Sequence, residues 1–493
     1  MRCCNMIPVL MILVPLVSGL FTFFIKRDSV AKWWSLVTSL AVLVISLAGL
    51  TMFKEASNLQ TNMEWLPVLG SRFHVSLDGL GQLLCLLTAI AFPVIFGATY
   101  NASYSKARSF YALMLLSQAG LMGVFVAMDA LLFYFFWELA LIPAYFLCSI
   151  WGGEKRIAVT FKFFIYTFIG SLLMLIGIIY IYYRTPDLSF SIDSFYKVRL
   201  ALNEQSWLFW AFFIAFAIKM PLFPFHTWQP DTYEQAPTAA TMVLSGVMVK
   251  MGLFGILRWL APVLPEGFWS WGDAAAFLCM FGMIYASILA IQQDDLKRLV
   301  AYSSIAHMGL MCLAIFSTTD TGLQGVMIQM FSHGINIIGL WIVVEIIERR
   351  FHTRKISELG GLAQKAPALA IFLVTVALAN VALPLTNAFI GEFLMFTGVF
   401  TSNVSQYNYI YTAVAGISII LSAVYTLNMI QKVFYGNTNT LTAPATDLRF
   451  NEKLVLIILV GLILVFGVYP QPMLELTQST VEGLLKRMII KHP

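Results

Sequence analysis

Residues 210–225 read WAFFIAFAIKMPLFPF, and this stretch decides the class of fold. Aromatic and aliphatic side chains fill it except at Lys219, which two prolines, Pro221 and Pro224, follow closely. A proline lacks the backbone N–H that a helix needs and clashes with the carbonyl four residues back, so the helix breaks or kinks there. The stretch therefore predicts a membrane helix that is interrupted beside a buried positive charge.

The rest of the chain has the composition of a membrane protein. Hydrophobic residues make up 59% of the 493 residues and charged residues 11%, against about 25% charged residues in soluble proteins. The apolar runs divide into about fourteen segments of ~20 residues, the length of a helix that crosses a bilayer. These runs are continuous, without the alternation of barrel strands. The sequence predicts an all-α polytopic membrane protein and excludes soluble enzyme folds.

The sequence lacks the signals of several kinds of ligand site. The net charge of +5 is too small to indicate a nucleic-acid partner. The six cysteines show no CxxC spacing, so neither an iron–sulfur centre nor a disulfide framework is predicted. No Walker A sequence and no GxGxxG fingerprint after a strand occurs, which argues against bound ATP or NADH. We therefore expect no cofactor on this chain.

A further proline marks a second broken helix. Pro384 precedes Glu392 within residues 367–398, a run too long for one straight crossing of the bilayer. The first break lies in the seventh predicted helix and the second in the twelfth. Paired broken helices in the two halves of a chain are typical of a transport site at the membrane midplane.

The spacing of charged residues predicts an internal repeat. Nearly the same number of residues separates Glu138 from Lys219 and His307 from Glu392. Helices 4–8 and helices 9–13 are therefore predicted to form two five-helix repeats, and an odd number of helices inverts the second repeat relative to the first. The predicted boundaries are 1–108 for an N-terminal three-helix segment, 109–260 and 273–435 for the repeats, and 436–493 for helix 14 with a tail.

Ionisable side chains inside the predicted helices are the main functional signal. They are Glu138, Lys219, Lys250, His307, His333 and Glu392. A charge at the bilayer centre costs about 2.5–3.5 kcal/mol, so such groups usually face a polar interior and pair with one another. They indicate a path for ions or protons, and the alternative is that they only tie helices together. For Lys162, snorkelling to the interface is equally expected; His226 either assists proton uptake or caps a helix.

The distribution of positive charge predicts the orientation. Lys and Arg are more frequent in the loops that leave odd-numbered predicted helices than in the other loops and the two tails. Because cytoplasmic loops carry the excess of positive charge, both termini are predicted to lie outside the cytoplasm.

Five stretches of the chain resemble a known family. They are LLFYFFWELALIPAYFL (131–147), AIKMPLFPFHTWQPDTYEQAPT (217–238), GVMVKMGLFGILR (246–258), DDLKRLVAYSSIAHMG (294–309) and FIGEF (389–393). They are similar to the antiporter-like subunits of respiratory complex I, the NADH–quinone oxidoreductase, and the resemblance runs from about residue 75 to 435.

Two positions locate the chain within that family. At the twelfth helix one branch of the family has Glu and its two sister branches have Lys, so Glu392 indicates the glutamate branch. Where the family usually reads LPGTGNF, this chain reads LPLTNAF, with Leu385, Asn387 and Ala388 at the substituted positions. Because two of the three replaced family residues are glycines, the substitutions are expected to affect the flexibility of the break in the twelfth helix. Pro384 and Glu392 are retained.

The resemblance implies roles for the six ionisable residues. Glu138 and Lys219 would form a charge pair in a first half-channel, and Lys250 would be the central relay. His333 and His307, together with water, would pass the proton to Glu392, the terminal site of a second half-channel. Electron transfer elsewhere in the complex would drive the movement. NADH, FMN, iron–sulfur clusters and quinone would be bound by partner subunits.

The resemblance also implies partners and a location, and it leaves rival functions open. The partners would be the lipid bilayer and the other membrane subunits, in particular the lysine-bearing sisters (subunits L and N), in a bacterial cytoplasmic (inner) membrane or an equivalent one. The first alternative is the large subunit of a multisubunit cation/proton antiporter. The second is a membrane scaffold without transport.

Overall fold

The computed structural model of the chain describes residues 6–52 and 59–488. The first helices are α1 (Ile7–Thr22), α2 (Asp28–Met52), α3 (Gly79–Ala98), α4 (Ala107–Val126), α5 (Ala130–Trp151) and α6 (Arg156–Arg184). Short helical turns at Pro67–Leu69, Ile192–Phe195, Ile356–Glu358 and Leu362–Lys365 lie in the connections. Within the described residues, helices account for nearly all of the regular structure.

A small antiparallel hairpin precedes α3, and the sequence analysis did not predict it. Its strands are β1 (Gln60–Leu66) and β2 (Ser71–Ser76). The carboxylate of Asp129 accepts hydrogen bonds from the Ser71 hydroxyl at 2.8 Å and the Arg72 amide at 3.0 Å. The same carboxylate caps the first turn of α5 by accepting from the amides of Leu131 and Leu132. One buried side chain therefore joins the hairpin to α5.

The first predicted break lies where the prolines indicate. Helix α7 (Leu202–Lys219) ends at Lys219, and α8 (Trp228–Gln235) begins beyond Pro221 and Pro224. Helix α9, Thr238–Val263, follows. It contains two π-helical segments, Leu244–Met248 and Ile256–Leu260, a rare geometry that is frequently found at functional sites.

The second predicted break is also present. After α10 (Pro265–Ile291), α11 (Leu296–Phe316) and α12 (Asp320–Phe351), the chain forms α13 (Pro367–Asn380), α14 (Asn387–Phe400) and α15 (Asn408–Phe434). Pro384 lies in the connection between α13 and α14. Within this connection Ala382 and Leu385 have φ angles of 56° and 73°. These angles lie in the left-handed region that disfavours side chains with a Cβ atom.

Leu385→Gly is expected to stabilise the folded protein. The left-handed conformation costs a non-glycine residue about 1–2 kcal/mol, which exceeds the extra chain entropy of glycine, about 0.5–1 kcal/mol. The leucine side chain is 67% exposed, so little packing is lost. The measurement is the thermal unfolding midpoint of the purified assembly. Leu385→Ala, which keeps Cβ, should give no gain; an equal gain from both variants would show that backbone strain is not the cause.

The C-terminal part closes the fold with α16 (Phe450–Val468) and α17 (Gln471–Met488). In α16, the fully buried Glu452 binds Arg349 and, at 2.6 Å, Arg350 on α12. Helix α17 was not predicted from the sequence, because its apolar residues are spaced along one face only. It lies against α3, where the Gly79 amide donates to the Thr480 hydroxyl at 3.0 Å.

The most enclosed helices are the ones that carry the predicted central residues. The apolar windows of α9, α11 and α12 are 100%, 94% and 94% buried, against 33% for α2 and α16. Eleven helices of the described residues are long and apolar enough to cross a membrane, and α1, α13 and α14 are shorter apolar helices. The predicted all-α membrane class is confirmed. The count of fourteen crossings, the domain boundaries and the inverted repeats stay predictions.

Candidate functional site: a buried line of ionisable residues

Glu392 and His307 meet beside the second helix break. Glu392 is on α14 and His307 on α11, and their side chains are 4% and 7% exposed. His307 Nδ1 lies 3.4 Å from Glu392 Oε1, and Gln329 Nε2 donates to the same oxygen at 3.3 Å. A carboxylate in hydrogen-bonding reach of an imidazole can exchange a proton with it.

Lys250 and His333 form a second contact, which joins α9 and α12. Lys250 is fully buried on α9, and its Nζ lies 2.8 Å from Nδ1 of His333 on α12. The same ammonium donates to the Ser245 carbonyl at 2.9 Å, inside the first π-helical segment. His333 Nε2 has no hydrogen-bond partner among the described residues. One ring nitrogen of His333 therefore meets Lys250, and the other ring nitrogen is available to bind water.

The two histidines join these contacts into one line. The ring centroids of His307 and His333 are 5.4 Å apart, so the two imidazoles are direct neighbours. The structure thus brings Lys250, His333, His307 and Glu392 together in that order. Since these groups are acids, amines and imidazoles, the line can hold and pass protons.

The first predicted pair is Glu138 on α5 and Lys219 at the end of α7, and its role as a charge pair stays a prediction. Lys219 is buried at the end of α7, and its Nζ lies 5.5 Å from the centre of the Trp137 ring. Glu138 is partly buried on α5. Lys219 Nζ and Glu138 Oε1 have no hydrogen-bond partner among the described residues, so the predicted charge pair is not a contact ion pair. The indole face of Trp137 takes the place of the direct carboxylate contact.

The structure shows the contacts of Lys162 and His226, whose roles the sequence left open. Lys162 Nζ binds Asp231 Oδ2 and the Thr227 carbonyl, each at 2.9 Å; it crosses to α8 rather than only snorkelling. His226 is 4% exposed and lies against the rings of Phe223 and Tyr285.

Besides Gln329, polar side chains next to His307 belong to the site, and the sequence did not indicate them. Asn380 Nδ2 lies 3.3 Å from His307 Nε2 and donates to Ser303 Oγ at 3.2 Å. Tyr425 donates to the same serine oxygen at 2.9 Å. Their signal in the sequence is a polar residue inside an apolar run, which is weaker than that of an ionisable one.

Metal binding has no support in the described part of the chain. Within residues 6–52 and 59–488, no group of three or more His, Cys, Asp or Glu side chains could hold a metal ion. The prediction that cofactors are bound by partner subunits stays a prediction.

The chain is similar to known membrane proteins along nearly its whole length. A family model described as "NADH:quinone oxidoreductase/Mrp antiporter, TM" matches residues 127–422. A Rickettsia prowazekii protein named NADH-quinone oxidoreductase subunit M is 36% identical over 486 residues, which are 96% of this chain and 97% of that protein.

Solved structures show the same similarity. A chain of respiratory complex I from Thermus thermophilus with bound NADH aligns with a TM-score of 0.91 at 29% identity, over 98% of this chain and 100% of that chain. A chain of the Mrp complex from Dietzia sp. shares the fold, with a TM-score of 0.86 at 20% identity over 98% of each chain. The family match spans the whole line from Glu138 to Glu392.

Proposed function

Because this chain belongs to the family of membrane subunits that NADH:quinone oxidoreductases and Mrp antiporters share, we propose that its line of ionisable side chains carries protons across the membrane. The chain is a proton-translocating membrane subunit of NADH-quinone oxidoreductase. The proposed path runs from Glu138 and Lys219 through Lys250, His333 and His307 to Glu392.

One observation carries the proposal. Lys250 lies 2.8 Å from His333, the rings of His333 and His307 have centroids 5.4 Å apart, and His307 lies 3.4 Å from Glu392. Lys250 and the two histidines are on the most enclosed helices of the fold. A set of structural ties between helices would satisfy each group locally. Here Nε2 of His333 remains without a partner in the part of the chain that the structure describes, as a relay that binds water requires.

Burial and pairing control the protonation of each group. Burial disfavours the charged form of lysine and of glutamate, whereas a neighbouring opposite charge favours it. When Glu138 approaches Lys219 the ammonium is favoured, and when it withdraws the neutral amine is favoured. Because Lys219 Nζ and Glu138 Oε1 have no hydrogen-bond partner among the described residues, a side-chain movement would be enough to switch between the two states. The groups then titrate as a coupled set rather than one by one.

The energy for pumping comes from outside this chain. Moving one charge against 100 mV costs about 2.3 kcal/mol. We propose that partner subunits hold the NADH, FMN, iron–sulfur and quinone chemistry that supplies it, and that this chain performs no redox step. The nearest partners would be the L and N subunits. The similarity to a whole complex I chain supports assembly with other membrane subunits.

The proposed orientation puts both termini on the non-cytoplasmic side. The charged connections after α5, α10 and α12, with Lys155, Lys297, Arg298 and Arg354, then face the cytoplasm. The chain is a multi-pass membrane protein, and the cytoplasmic membrane of a bacterium is its proposed location.

Glu138→Gln is expected to lower proton pumping at least about tenfold, because the amide keeps the shape of the carboxylate but cannot charge-pair with Lys219 or exchange a proton. The measurement is NADH-driven acidification of inverted membrane vesicles at matched abundance of the assembled complex. Glu138→Asp, which keeps the carboxylate, should retain part of the activity. Glu475→Gln on α17 serves as the matched control.

The outcome distinguishes the proposed function from a scaffold. If Glu138→Gln pumps at the wild-type rate, the charge-pair mechanism is wrong. A scaffold without transport predicts lower assembly and unchanged pumping per assembled complex.

The antiporter alternative has one supporting observation, the fold shared with the Mrp chain. The named relative that aligns over 96% of the chain favours the oxidoreductase. Proton flux that depends on sodium and persists without NADH would favour the antiporter.

A further inference from the structure

A polar cavity lies beside the beginning of α2, at the edge of the helix bundle. Its volume is about 310 Å³, at the lower end of the range of small-molecule sites, about 300–1,000 Å³. The first turn of α2, the connection between α3 and α4 and the beginning of α4 line it. The described residues of its wall include none of the six residues of the proposed proton path. The cavity is therefore a separate feature of the molecule.

Aromatic residues place the cavity at the level of the lipid headgroups. Trp33 on α2 is 55% exposed, and its ring lies 5.8 Å from the ring of Tyr100 in the cavity wall. Exposed Trp and Tyr side chains concentrate where a membrane protein passes from the hydrocarbon to the headgroups. Further along α2, Leu36 and Leu47 lie on the same face of the helix as Lys32 and are half-buried and exposed, respectively. An apolar strip thus leads from the cavity into the hydrocarbon.

Positive charge surrounds the cavity and is largely unpaired. Five cations lie in its wall or within two residues of it in sequence: Lys26, Arg27, Lys32, Lys106 and Arg108. Within residues 6–52 and 59–488, Asp28 is the one acid that pairs with any of them, and its Oδ1 lies 3.7 Å from Arg108 Nε. Lys32 Nζ lies 4.3 Å from the centre of the Tyr100 ring instead. The region therefore carries an excess of positive charge, which an anion can neutralise.

A buried hydroxyl in the cavity wall points to a ligand. Tyr111 on α4 is 2% exposed and lines the cavity, and its hydroxyl has no hydrogen-bond partner in the part of the chain that the structure describes. Because buried polar groups are nearly always hydrogen-bonded, the partner of this hydroxyl is expected inside the cavity. Ser29 and Ser103 also line it. The wall thus offers hydroxyl donors and the Lys32 ammonium, the groups that suit a phosphate.

We propose that this cavity binds the phosphodiester headgroup of an anionic phospholipid. Lys32 and Arg108 attract the phosphate, and Tyr111 donates a hydrogen bond to it. The acyl chains lie along the apolar strip of α2. In the proposed orientation the lipid belongs to the cytoplasmic leaflet, whose anionic lipids attract basic segments next to membrane helices. The inference concerns the lipid interface of the chain and does not depend on proton transport.

A phospholipid fits this surface better than other occupants do. A soluble phosphate matches the donors and the positive charge but leaves the apolar strip of α2 uncovered. A neighbouring protein can cover the strip, but it must also place acidic side chains in the cavity. A phospholipid combines a negative charge with long apolar chains in one molecule, and the membrane supplies it at the level of Trp33.

The test labels the purified, assembled complex with phosphatidylglycerol that carries a photoreactive diazirine in one acyl chain. Peptide mass spectrometry should find the label on α2. Because each Lys or Arg near an anionic membrane surface strengthens binding about fivefold, the lipid concentration for half-maximal labelling should rise about fivefold in Lys32→Gln and about 25-fold when Arg108→Gln is added. Tyr111→Phe, which removes only the hydroxyl, should raise it about threefold. Lys432→Gln, which removes an exposed cation at the end of α15, should behave as wild type.

Competition identifies the ligand. Unlabelled phosphatidylglycerol should displace the label from α2, whereas phosphatidylcholine, which has no net charge, and inorganic phosphate should leave it in place at the same concentrations. Equal displacement by phosphatidylcholine would mean that only the apolar strip binds lipid, and displacement by inorganic phosphate would identify a soluble anion. Either result overturns the proposal. Unchanged labelling of the double variant also overturns it, as does the absence of label from α2 in the wild type, which would mean that a neighbouring subunit covers this surface.

Discussion

Lys250→Met is expected to abolish proton pumping while the chain still assembles. The lysine is fully buried and contacts His333 Nδ1 at 2.8 Å, so its amine is the group through which the two halves of the path would exchange a proton. Methionine fills a similar space with a flexible apolar side chain. It removes the cost of burying an ammonium, so folding should survive. Pumping per assembled complex should fall at least about a hundredfold, the scale of a lost proton-transfer group.

The control for this variant separates charge from proton exchange. Lys250→Arg keeps a positive charge and several donors, but a guanidinium does not release a proton in proteins. Both variants should fail in NADH-driven acidification of vesicles. Pumping by Lys250→Arg near the wild-type rate would show that only a fixed charge is needed at this position, contrary to a relay.

Glu392→Gln is expected to have the second largest effect. The carboxylate lies 3.4 Å from His307 Nδ1 and accepts from Gln329 at 3.3 Å. Glutamine preserves the size and most of the hydrogen bonds, but its amide cannot take up the proton that His307 would deliver. Pumping should fall at least about tenfold at matched abundance, with electron transfer slowed because the two processes are coupled.

Glu392→Asp provides the matched comparison. Its carboxylate is one methylene shorter and reaches His307 through water, so partial pumping is expected. Equal activity of the Gln variant and wild type would exclude Glu392 as the terminal proton site. Equal loss in the Asp and Gln variants would indicate that geometry rather than proton exchange is decisive.

The sequence predicted the features that depend on local chemistry. Pro221 and Pro384 mark the two helix breaks because proline removes a backbone donor wherever it lies. Lys250 and His333 stand out because polar groups in apolar runs are costly. Such signals need no knowledge of the tertiary structure.

Features that depend on distant contacts were not predictable in the same way. The position of the Lys219 ammonium over the Trp137 ring depends on how α5 and α7 pack. Asn380 joins His307 across two helices, and nothing in its neighbouring sequence indicates this. The sequence shows that Leu385 replaces a glycine of the family, but the left-handed backbone at Leu385, which makes that replacement costly, becomes visible only with the fold.

Asp129 connects the hairpin to the helix that carries Glu138. Because one carboxylate binds both β2 and the first turn of α5, we expect the two elements to move together. A load that a neighbouring protein applies to the hairpin is delivered to α5 about 14 Å of helix rise before Glu138. Movement outside the bilayer can then shift the position of the acid that opens the proposed path.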